Sequence, residues 1–181
     1  MEMNYETLTT ERLSLRKLGV KELNYLFENF NEEQIKMELG ISSHESYLKE
    51  KEKYQKGYSD YRRTILGFKL IYKTTGEIIG SCGYHNWLEE HKRAEIGYDI
   101  SVESLKKKGL MSEAIKEIIS YGFNVMHLHR IEACARPDNI ASLKLLERNN
   151  FKYEGLLRQH YFSGGIFEDS AFFSLLREEF Y

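Results

Sequence analysis

The sequence predicts an α+β fold in a single domain, residues 1–181, built on a mixed, mostly antiparallel sheet of about six to seven strands flanked by helices. Three observations support this prediction. Several segments that alternate apolar and polar residues are joined by short connections, which is typical of antiparallel pairs. One strand–helix–strand step, residues 93–136, indicates a parallel crossover. The helical segments carry an apolar stripe, as helices that lie on a sheet do.

The first third of the chain predicts a strand followed by helices. Arg12–Lys17 alternates, with Leu13 and Leu15 on one face. The pattern in Val20–Tyr61 is helical, with apolar residues at three- and four-residue spacing: Leu23, Leu26, Phe27 and Phe30. Because Asn31–Gly57 is polar and rich in Lys and Glu, we expect one or two exposed helices there.

A hairpin and a regular strand are predicted next. Thr64–Tyr72 and Ile78–Tyr84 have strand character and are separated by the turn Thr74–Gly76. After the charged connector Trp87–Arg93, the segment Arg93–Val102 alternates strictly. One face of that strand carries Ala94, Ile96, Tyr98, Ile100 and Val102, and the other carries Glu95, Gly97, Asp99 and Ser101.

The second half predicts two helices and three further strands. A basic turn, Lys106–Gly109, precedes an amphipathic helix, and Arg130–Arg136 is the next strand. Pro137–Asn139 opens a second helix that runs to about Asn149, where Asn150 suits a left-handed cap. The closing strands, residues 153–158 and 167–176, meet at the Gly164–Gly165 turn.

Composition excludes several classes of protein. A net charge of −2 gives no field that calls for nucleic acid or an anionic membrane as partner. The two cysteines, Cys82 and Cys134, form no CxxC pair, so we expect neither a disulfide framework nor a metal site. The N-terminus has no apolar h-region, and no apolar run is long enough to span a bilayer. These features predict a cytosolic protein. For its oligomeric state, both a monomer and a homodimer stay open.

The turn before the first amphipathic helix is a candidate anion site. A helix N-terminus presents free N–H groups and partial positive charge, and Gly109 lets the backbone approach a phosphate. Lys106, Lys107 and Lys108 add charge at the same place. The turn is not a P-loop, since GxxxxGK[ST] and GxGxxG are both absent. The alternative is a solvated lysine cluster.

A second candidate lies at the start of the next helix. In Arg136–Ser142, Asp138 or Asn139 can cap the helix, and Ser142 falls in its first turn near the strand end. Simple capping is the structural alternative for this segment.

An ordered set of motifs resembles a known family. The stretch AEIGYDISVESLKKKGLMSEAI, followed by RIEACARPDNIASLKLLERNNFKYEGLLRQHYFSGGIFEDSAFFSLL, is similar to the GNAT superfamily of N-acetyltransferases, and within it to the ribosomal-protein N-terminal (Rim-type) branch. The resemblance covers Ile78–Leu176 and extends more weakly to Thr10–Arg16. The combination of R-x-D-N-x-A-S with a helix that ends in F-x-x-E-G is the specific part.

The resemblance implies acetyl-CoA as cosubstrate and a primary amine as acceptor. In the family, the strand equivalent to Arg93–Val102 splays from the next strand and pairs with the pantetheine arm, while the pyrophosphate sits on the basic turn. The implied cofactor-binding residues are Ile100, Val102, Lys107, Lys108, Gly109, Leu110, Met111, Ser112, Asn139 and Ser142. The chain departs from the family's Q/R-x-x-G-x-G/A turn, because Lys107 stands at the first glycine and Ser104 at the Gln/Arg.

Two side chains are candidates for proton transfer. An alkyl amine is mostly protonated at neutral pH, so a base or water relay assists its attack on the thioester. Glu95 is the candidate for that relay; its alternative is a charge partner of Arg93 or Arg130. Ser142 resembles the family residue that gives a proton to the leaving thiolate.

Further expectations concern Cys134, His85 and the acceptor. Cys134 has no histidine beside it in the sequence, so a packing role is expected rather than an acyl-carrying one. We expect the acceptor cleft to be built by Asn31–Tyr61 and the loops His85–His91 and Tyr161–Ile166. The acceptor would be a peptide or protein N-terminus. Alternatives are a small-molecule amine (polyamine, amino acid or aminoglycoside) and a non-catalytic acyl-CoA-binding module, which the lysine at position 107 would favour.

Overall fold

The computed structural model describes residues 3–59 and 64–180. In chain order its elements are β1 (Thr7–Thr9), β2 (Leu13–Gly19), α1 (Val20–Asn29), α2 (Glu32–Leu39), α3 (His44–Lys56), β3 (Thr64–Tyr72), β4 (Ile78–Leu88), β5 (Arg93–Ile100), α4 (Leu110–Asn124), β6 (Arg130–Ala135), α5 (Ile140–Arg148), β7 (Lys152–Ser163) and β8 (Ile166–Leu176), with short 3₁₀ turns at Glu89–His91, Glu103–Leu105 and Arg177–Glu179. The strands form one sheet in the order β1-β2-β3-β4-β5-β6-β8-β7.

The predicted fold class is confirmed, with differences at the edges of elements. All neighbouring strands are antiparallel except β5 and β6, which are parallel as the crossover requires. The sheet has one strand more than expected, because the three residues of β1 are too short to show a periodicity. β4 continues through Leu88 into the predicted connector, and β5 ends at Ile100, two residues before Val102.

The polar segment after α1 forms two helices, each with its own cap. Asn31 accepts a hydrogen bond from the Gln34 N–H at 3.0 Å to begin α2, and Ser43 accepts one from the Ser46 N–H at 3.1 Å to begin α3. The predicted end of the helical region, Tyr61, lies outside the described residues. No described helix is long and apolar enough to cross a membrane.

Helices cover both faces of the sheet. On one face, α4 and α5 pack over the main core, and the Tyr84 hydroxyl donates to the Ile118 carbonyl at 2.7 Å, joining β4 to α4. On the other face, α1, α2 and α3 surround a smaller cluster that includes Leu18, Leu26 and Ile35. Alternation along β5 therefore directs Ile96 toward the α4 side and Glu95 toward the α1–α3 side.

The sheet opens between its two parallel strands. β5 and β6 pair only at Arg93–Arg130, Ala94–Ile131 and Glu95–Glu132. Beyond Glu95 the two strands diverge, while β6 stays paired with β8 along its full length. We call this opening the fork. It is the splay that the resemblance implied, and it leaves the backbone of residues 96–100 without a partner on the β6 side.

Candidate active site

A cleft of 390 Å³ lies at the fork. Its floor comes from the diverging strands, and its far wall comes from the β7–β8 hairpin. The residues that line it are His85, Glu95, Ile96, Gly97, Tyr98, Cys134, Ala135, Arg136, Asn139, Ser142, Tyr161, Ser163, Glu168, Asp169 and Ser170. Three of the predicted site residues are thus brought together from two elements: Glu95 from β5, and Asn139 and Ser142 from the start of α5.

Glu95 lies at the last paired position of the fork and is largely buried, with 12% of its side chain exposed. Its carboxylate accepts a hydrogen bond from the Asn86 amide at 3.0 Å and lies 3.3 Å from His85 Nε2. Burial acts to raise the pKa of Glu95, but the contacts with His85 and Asn86 outweigh it and hold the pKa below 4.5. Glu95 is therefore an ionised carboxylate at neutral pH.

The alternative that made Glu95 a charge partner of Arg93 or Arg130 is wrong. Both guanidinium groups contact Glu132 instead, at 2.5 Å from Arg93 Nη1 and 2.8 Å from Arg130 Nε. Glu132 lies opposite Glu95 across the parallel pair and is buried. It therefore binds both guanidinium groups, Arg93 and Arg130, at the base of the fork. Glu95 keeps its carboxylate for His85, Asn86 and the cleft.

Ser142 lies in the first turn of α5 and forms a hydroxyl pair with β5. Its Oγ lies 2.7 Å from Tyr98 Oη, and 9% of the residue is exposed. Burial, the largest influence, raises the pKa of Tyr98 to about 12, so the phenol remains protonated. The pair spans the open part of the fork, from the strand on one side to the helix on the other.

The capping alternative belongs to Asn139 and not to Ser142. Asn139 is the N-cap of α5, and its Oδ1 accepts a hydrogen bond from the Ser142 N–H at 3.1 Å. The Ser142 hydroxyl is not used in capping and stays in the hydroxyl pair. Asp138 is instead paired with Arg136, at 2.7 Å.

The basic turn leads into α4 through two left-handed residues. Gly109 is the N-cap, with φ of +80°, and Lys107 has φ of +59°. Among the described residues no side chain caps α4, so the N–H groups of Leu110, Met111 and Ser112 are available to an anion. Lys107 and Lys108 form no ion pair within the described chain, whereas Lys106 contacts Glu103 at 2.6 Å. These groups fit a pyrophosphate.

Lys107 adopts a left-handed conformation, which glycine adopts more readily than lysine. A left-handed conformation costs a non-glycine residue roughly 1–2 kcal/mol, so the turn keeps its shape at the expense of local strain. The lysine also adds a cation beside the helix N-terminus.

The remaining predicted cofactor residues lie outside the 390 Å³ cleft. Ile100 ends β5 and is buried on the α4 side, and Val102 precedes the Glu103–Leu105 turn. Lys107–Ser112 follows from there into α4, where Leu110 is buried in the core. The set therefore forms a path from the open backbone edge of β5 to the α4 N-terminus.

Only part of the predicted acceptor cleft lies around the cavity at the fork. His85, Tyr161 and Ser163 line the cleft as expected, but the described residues of Asn31–Tyr61 do not. Helix α3 instead borders a separate cavity of 530 Å³ over β3 and β4, which Ser81 also lines. The cause is that α2 and α3 bury their apolar faces against α1, away from the fork.

Sequence reasoning missed two residues of the site, Tyr98 and Asn86. Tyr98 falls on the apolar face of β5, where alternation predicts a packing role, and its hydroxyl finds Ser142 only because α5 lies over the fork. Asn86 has φ of +50°, which asparagine tolerates better than most residues, and its side-chain amide donates to Glu95. An Asn next to a cleft histidine is a weak signal that the sequence did contain.

Cys134 lines the cleft from β6. Burial, followed by the nearby charge of Glu95, raises the pKa of its thiol to about 12. Because the thiolate is the nucleophile, this environment disfavours an acyl-carrying role.

Comparison with known proteins assigns the family. Residues 12–152 match the family described as "Acetyltransferase (GNAT) domain". The "Uncharacterized N-acetyltransferase p20" of Bacillus licheniformis is 36% identical over 176 residues, which cover 97% of this chain and 98% of that protein. A solved structure described as "Probable acetyltransferase" has a TM-score of 0.69 and 27% identity, and covers 96% of this chain and 98% of that one.

Two further relatives carry names that specify an acceptor. The "Putative ribosomal N-acetyltransferase YdaF" of Bacillus subtilis (strain 168) is 32% identical over 70% of this chain and 66% of its own length. The "Spermidine N(1)-acetyltransferase" of Escherichia coli (strain K12) is 22% identical over 93% of this chain and 88% of its own length. With the family matched over most of the chain, the protein belongs to the GNAT acetyltransferases, which use acetyl-CoA as cosubstrate.

Proposed function

We propose that residues 1–181 form one catalytic domain that transfers an acetyl group from acetyl-CoA to a primary amine by direct attack in a ternary complex. The observation that carries the proposal is the fork itself, where an ionised carboxylate and a hydroxyl pair face one cleft from its two sides. We place the reaction in the cytosol, consistent with two cysteines that are both free.

Acetyl-CoA would be held along the path from β5 to α4. The open backbone of β5 toward Ile100 and Val102 offers N–H and C=O groups to the pantetheine amides. Asn139, whose amide nitrogen is not engaged by its cap bond, would position them from the α5 side. Lys107, Lys108 and the N–H groups of residues 109–112 would receive the pyrophosphate.

Glu95 would accept the proton of the incoming ammonium, directly or through a water. Its lowered pKa keeps it ionised, and its position on the α1–α3 side of β5 separates it from the cosubstrate path. His85, in contact with Glu95, would orient the carboxylate. A positioned base of this kind contributes typically 10²–10⁴-fold.

Ser142 would donate a proton to the leaving thiolate, directly or by way of water. Tyr98 supports this role, since its hydroxyl lies within hydrogen-bond distance of Ser142 Oγ and can replace the donated proton. The two proton transfers would then occur on opposite sides of the fork.

We propose a peptide or protein N-terminal amine as the acceptor. Glu95, Glu168 and Asp169 outnumber Arg136 in the cleft, which favours a cationic ammonium over an anionic group. Tyr161 and Ser163 of β7, a mostly exposed strand, line the cleft, so a chain that continues from the amine would leave along the β7–β8 hairpin. The name of the YdaF relative supports the same acceptor class.

A small-molecule amine is the second candidate. The spermidine acetyltransferase relative covers most of this chain, and the acidic lining of the cleft also suits a polyamine. A third candidate, a non-catalytic acyl-CoA-binding module, was favoured by Lys107, but the turn keeps a left-handed geometry there.

An acceptor screen tests the proposal. The protein is incubated with acetyl-CoA and peptides, each supplied with a free and with a blocked N-terminus, alongside spermidine, amino acids and aminoglycosides. Released coenzyme A reports turnover, and mass spectrometry locates the acetyl group. We expect turnover only with free N-termini. Turnover of spermidine alone would show that the acceptor is a small-molecule amine. Binding of acetyl-CoA without any turnover would support the non-catalytic acyl-CoA-binding module.

A further inference from the structure

We propose that Arg12 positions the phosphate-binding turn and adds its guanidinium to the recognition of the coenzyme pyrophosphate. This inference rests on the proposed function, since it concerns the same acetyl-CoA site. Arg12 lies in the loop between β1 and β2, remote in sequence from the turn. Among the described residues, Arg12 contacts both Lys108 in the turn and Glu113 in α4, whereas Thr10 contacts Glu113 alone of these two.

Arg12 binds the turn on both sides of Gly109. Its Nη1 donates to the Lys108 carbonyl at 3.0 Å, immediately before the glycine. Its Nε donates to Glu113 Oε2 at 2.8 Å, and its backbone N–H donates to Glu113 Oε1 at 2.7 Å, in the first turn of α4. One side chain therefore fixes the entry of the turn relative to the helix that follows.

The support is placed where the turn is strained. Lys107 holds a left-handed φ of +59° that a non-glycine residue does not favour, so other contacts must maintain the conformation. The carbonyl that Arg12 holds belongs to the next residue, Lys108. A glycine at position 107 would relieve the backbone penalty, whereas this chain relies on the arginine.

Arg12 also neutralises a carboxylate that would oppose an anion. Glu113 lies in the first turn of α4, beside the N–H groups that would meet the phosphates. Burial acts to raise the pKa of Glu113, but bonds from Thr10 and Arg12 outweigh it, so the net pKa is lowered and the carboxylate is ionised. Without Arg12, that negative charge would face the incoming pyrophosphate.

One nitrogen of the guanidinium remains for a ligand. Nη2 lies 3.5 Å from the point where a Cβ on Gly109 would stand, and no hydrogen bond from it is found within residues 3–59 and 64–180. The Arg12 side chain is 40% exposed, so this donor faces solvent at the turn. Planar guanidinium donors match phosphate oxygens well.

The test compares ligands that contain or lack the pyrophosphate. Arg12→Gln is titrated with coenzyme A by calorimetry and with pantetheine by ligand-observed NMR. We expect the Kd for coenzyme A to rise about 10-fold or more, with the Kd for pantetheine unchanged within about twofold. Arg12→Lys keeps the charge but cannot contact Glu113 and Lys108 at the same time. Its Kd for coenzyme A should lie between those of the wild-type protein and Arg12→Gln. If Arg12→Gln does not fold, Arg12→Lys carries the test.

Arg16→Gln is the matched control. Arg16 lies on β2 and pairs with Glu38 at 2.9 Å, away from the turn, so its loss should leave both ligands unaffected. Wild-type affinity for coenzyme A in Arg12→Gln overturns the inference. So does an equal loss for coenzyme A and pantetheine, or an equal loss in Arg16→Gln. If the wild-type protein itself fails to bind coenzyme A, the proposed function is wrong. That result differs from a failure of the Arg12 inference alone, in which the wild-type protein binds coenzyme A.

Discussion

The hydroxyl of Ser142 contacts Tyr98 rather than the backbone of its own helix. Removal of this hydroxyl should therefore affect the reaction rate more than the stability of the fold. The cap of α5 is the side chain of Asn139, which Ser142→Ala leaves in place. We expect Ser142→Ala to lower kcat by about 10²-fold or more, with a small change in the free energy of unfolding. Acetyl-CoA affinity should be nearly intact, because the effect belongs to the transition state.

Ser174→Ala is the control for that prediction. Ser174 is also buried, and its hydroxyl donates to Glu154 at 2.6 Å, but it does not line the cleft. This variant should lose stability and keep kcat. Denaturant unfolding and turnover, measured on the same preparations, decide the point. A destabilised but fully active Ser142→Ala enzyme contradicts the proton-donor role.

Glu95 predicts a pH-dependent defect. Its pKa is lowered below 4.5, so the carboxylate is ionised through the neutral and alkaline range. Glu95→Gln should therefore be most impaired below the pKa of the acceptor amine, where a proton must be removed, and should approach the wild-type rate above it. A profile of kcat/KM against pH measures this. Glu90→Gln, outside the cleft in the Glu89–His91 turn, should show no such profile. A defect of constant size at every pH would argue against a base.

At the scale of single residues, the sequence predicted candidate side chains and the face each one lies on, but not the residues that each one contacts. Alternation placed Glu95 on the polar face of β5, and the cap motif placed Ser142 in the first turn of α5. The partners His85, Asn86 and Tyr98 depend on strand register and on the position of α5 over the fork. These are tertiary facts that local periodicity does not contain.

At the scale of elements, substitutions in the turn before α4 can distinguish an effect on stability from an effect on coenzyme binding. Gly109→Val introduces a β-branched residue at φ of +80°, which should lower stability by about 1–2 kcal/mol and raise the Kd for acetyl-CoA at least about 10-fold. Gly76→Val is the control, because Gly76 has φ of +73° in the β3–β4 turn and nothing within 4 Å of an added Cβ. It should lose similar stability and keep its affinity. Unchanged affinity in folded Gly109→Val removes this turn from the site.

The last three strands share an ionic contact that predicts acid sensitivity. Arg130 on β6 binds Glu154 on β7 through two bonds of 2.8 and 2.6 Å, and Ser174 on β8 donates to the same carboxylate. The hydrogen bond from Arg130, followed by that from Ser174, lowers the pKa of Glu154 from 4.5 to about 2.

Since the folded pKa of Glu154 is depressed, its stabilisation is present above about pH 4.5 and is lost as the pH falls toward about 2. Denaturant unfolding between pH 6 and pH 3 should show a smaller decline in Glu154→Gln than in the wild-type protein. Because the side chain is 39% exposed, salt should reduce the difference. Equal declines in the two proteins would mean that other carboxylates govern acid unfolding.

At the scale of the whole molecule, binding should appear as thermal stabilisation. We expect acetyl-CoA to raise the melting temperature, and NADH and ATP to leave it unchanged, since the chain lacks both nucleotide-binding motifs. At about 100-fold excess over Kd the gain is roughly 2.7 kcal/mol, which corresponds to roughly 5–10 °C for a domain of this size. No shift at millimolar acetyl-CoA, together with no heat of binding, would contradict the assigned cosubstrate.

Most of the fold could be predicted, because its long elements repeat their apolar residues with a clear period. The bounds of β3 match the predicted range of Thr64–Tyr72, and Asn150 is left-handed with φ of +62°, as its position after α5 required. The three residues of β1 and the extension of β4 were missed because pairing with a neighbouring strand defines them. Where α2 and α3 pack could not be predicted either, since polar helices leave few apolar positions to orient them.

The fork divides the sheet into two parts that are joined only by the short pairing between β5 and β6. Five strands on one side and three on the other are joined by backbone pairing at three positions. At these positions Glu132 contacts both Arg93 and Arg130. Beyond these positions, the contact between Tyr98 on β5 and Ser142 on α5 bridges the open part of the fork. The hydroxyl that would serve the chemistry therefore also belongs to a contact that bridges the two halves of the sheet beside the opening.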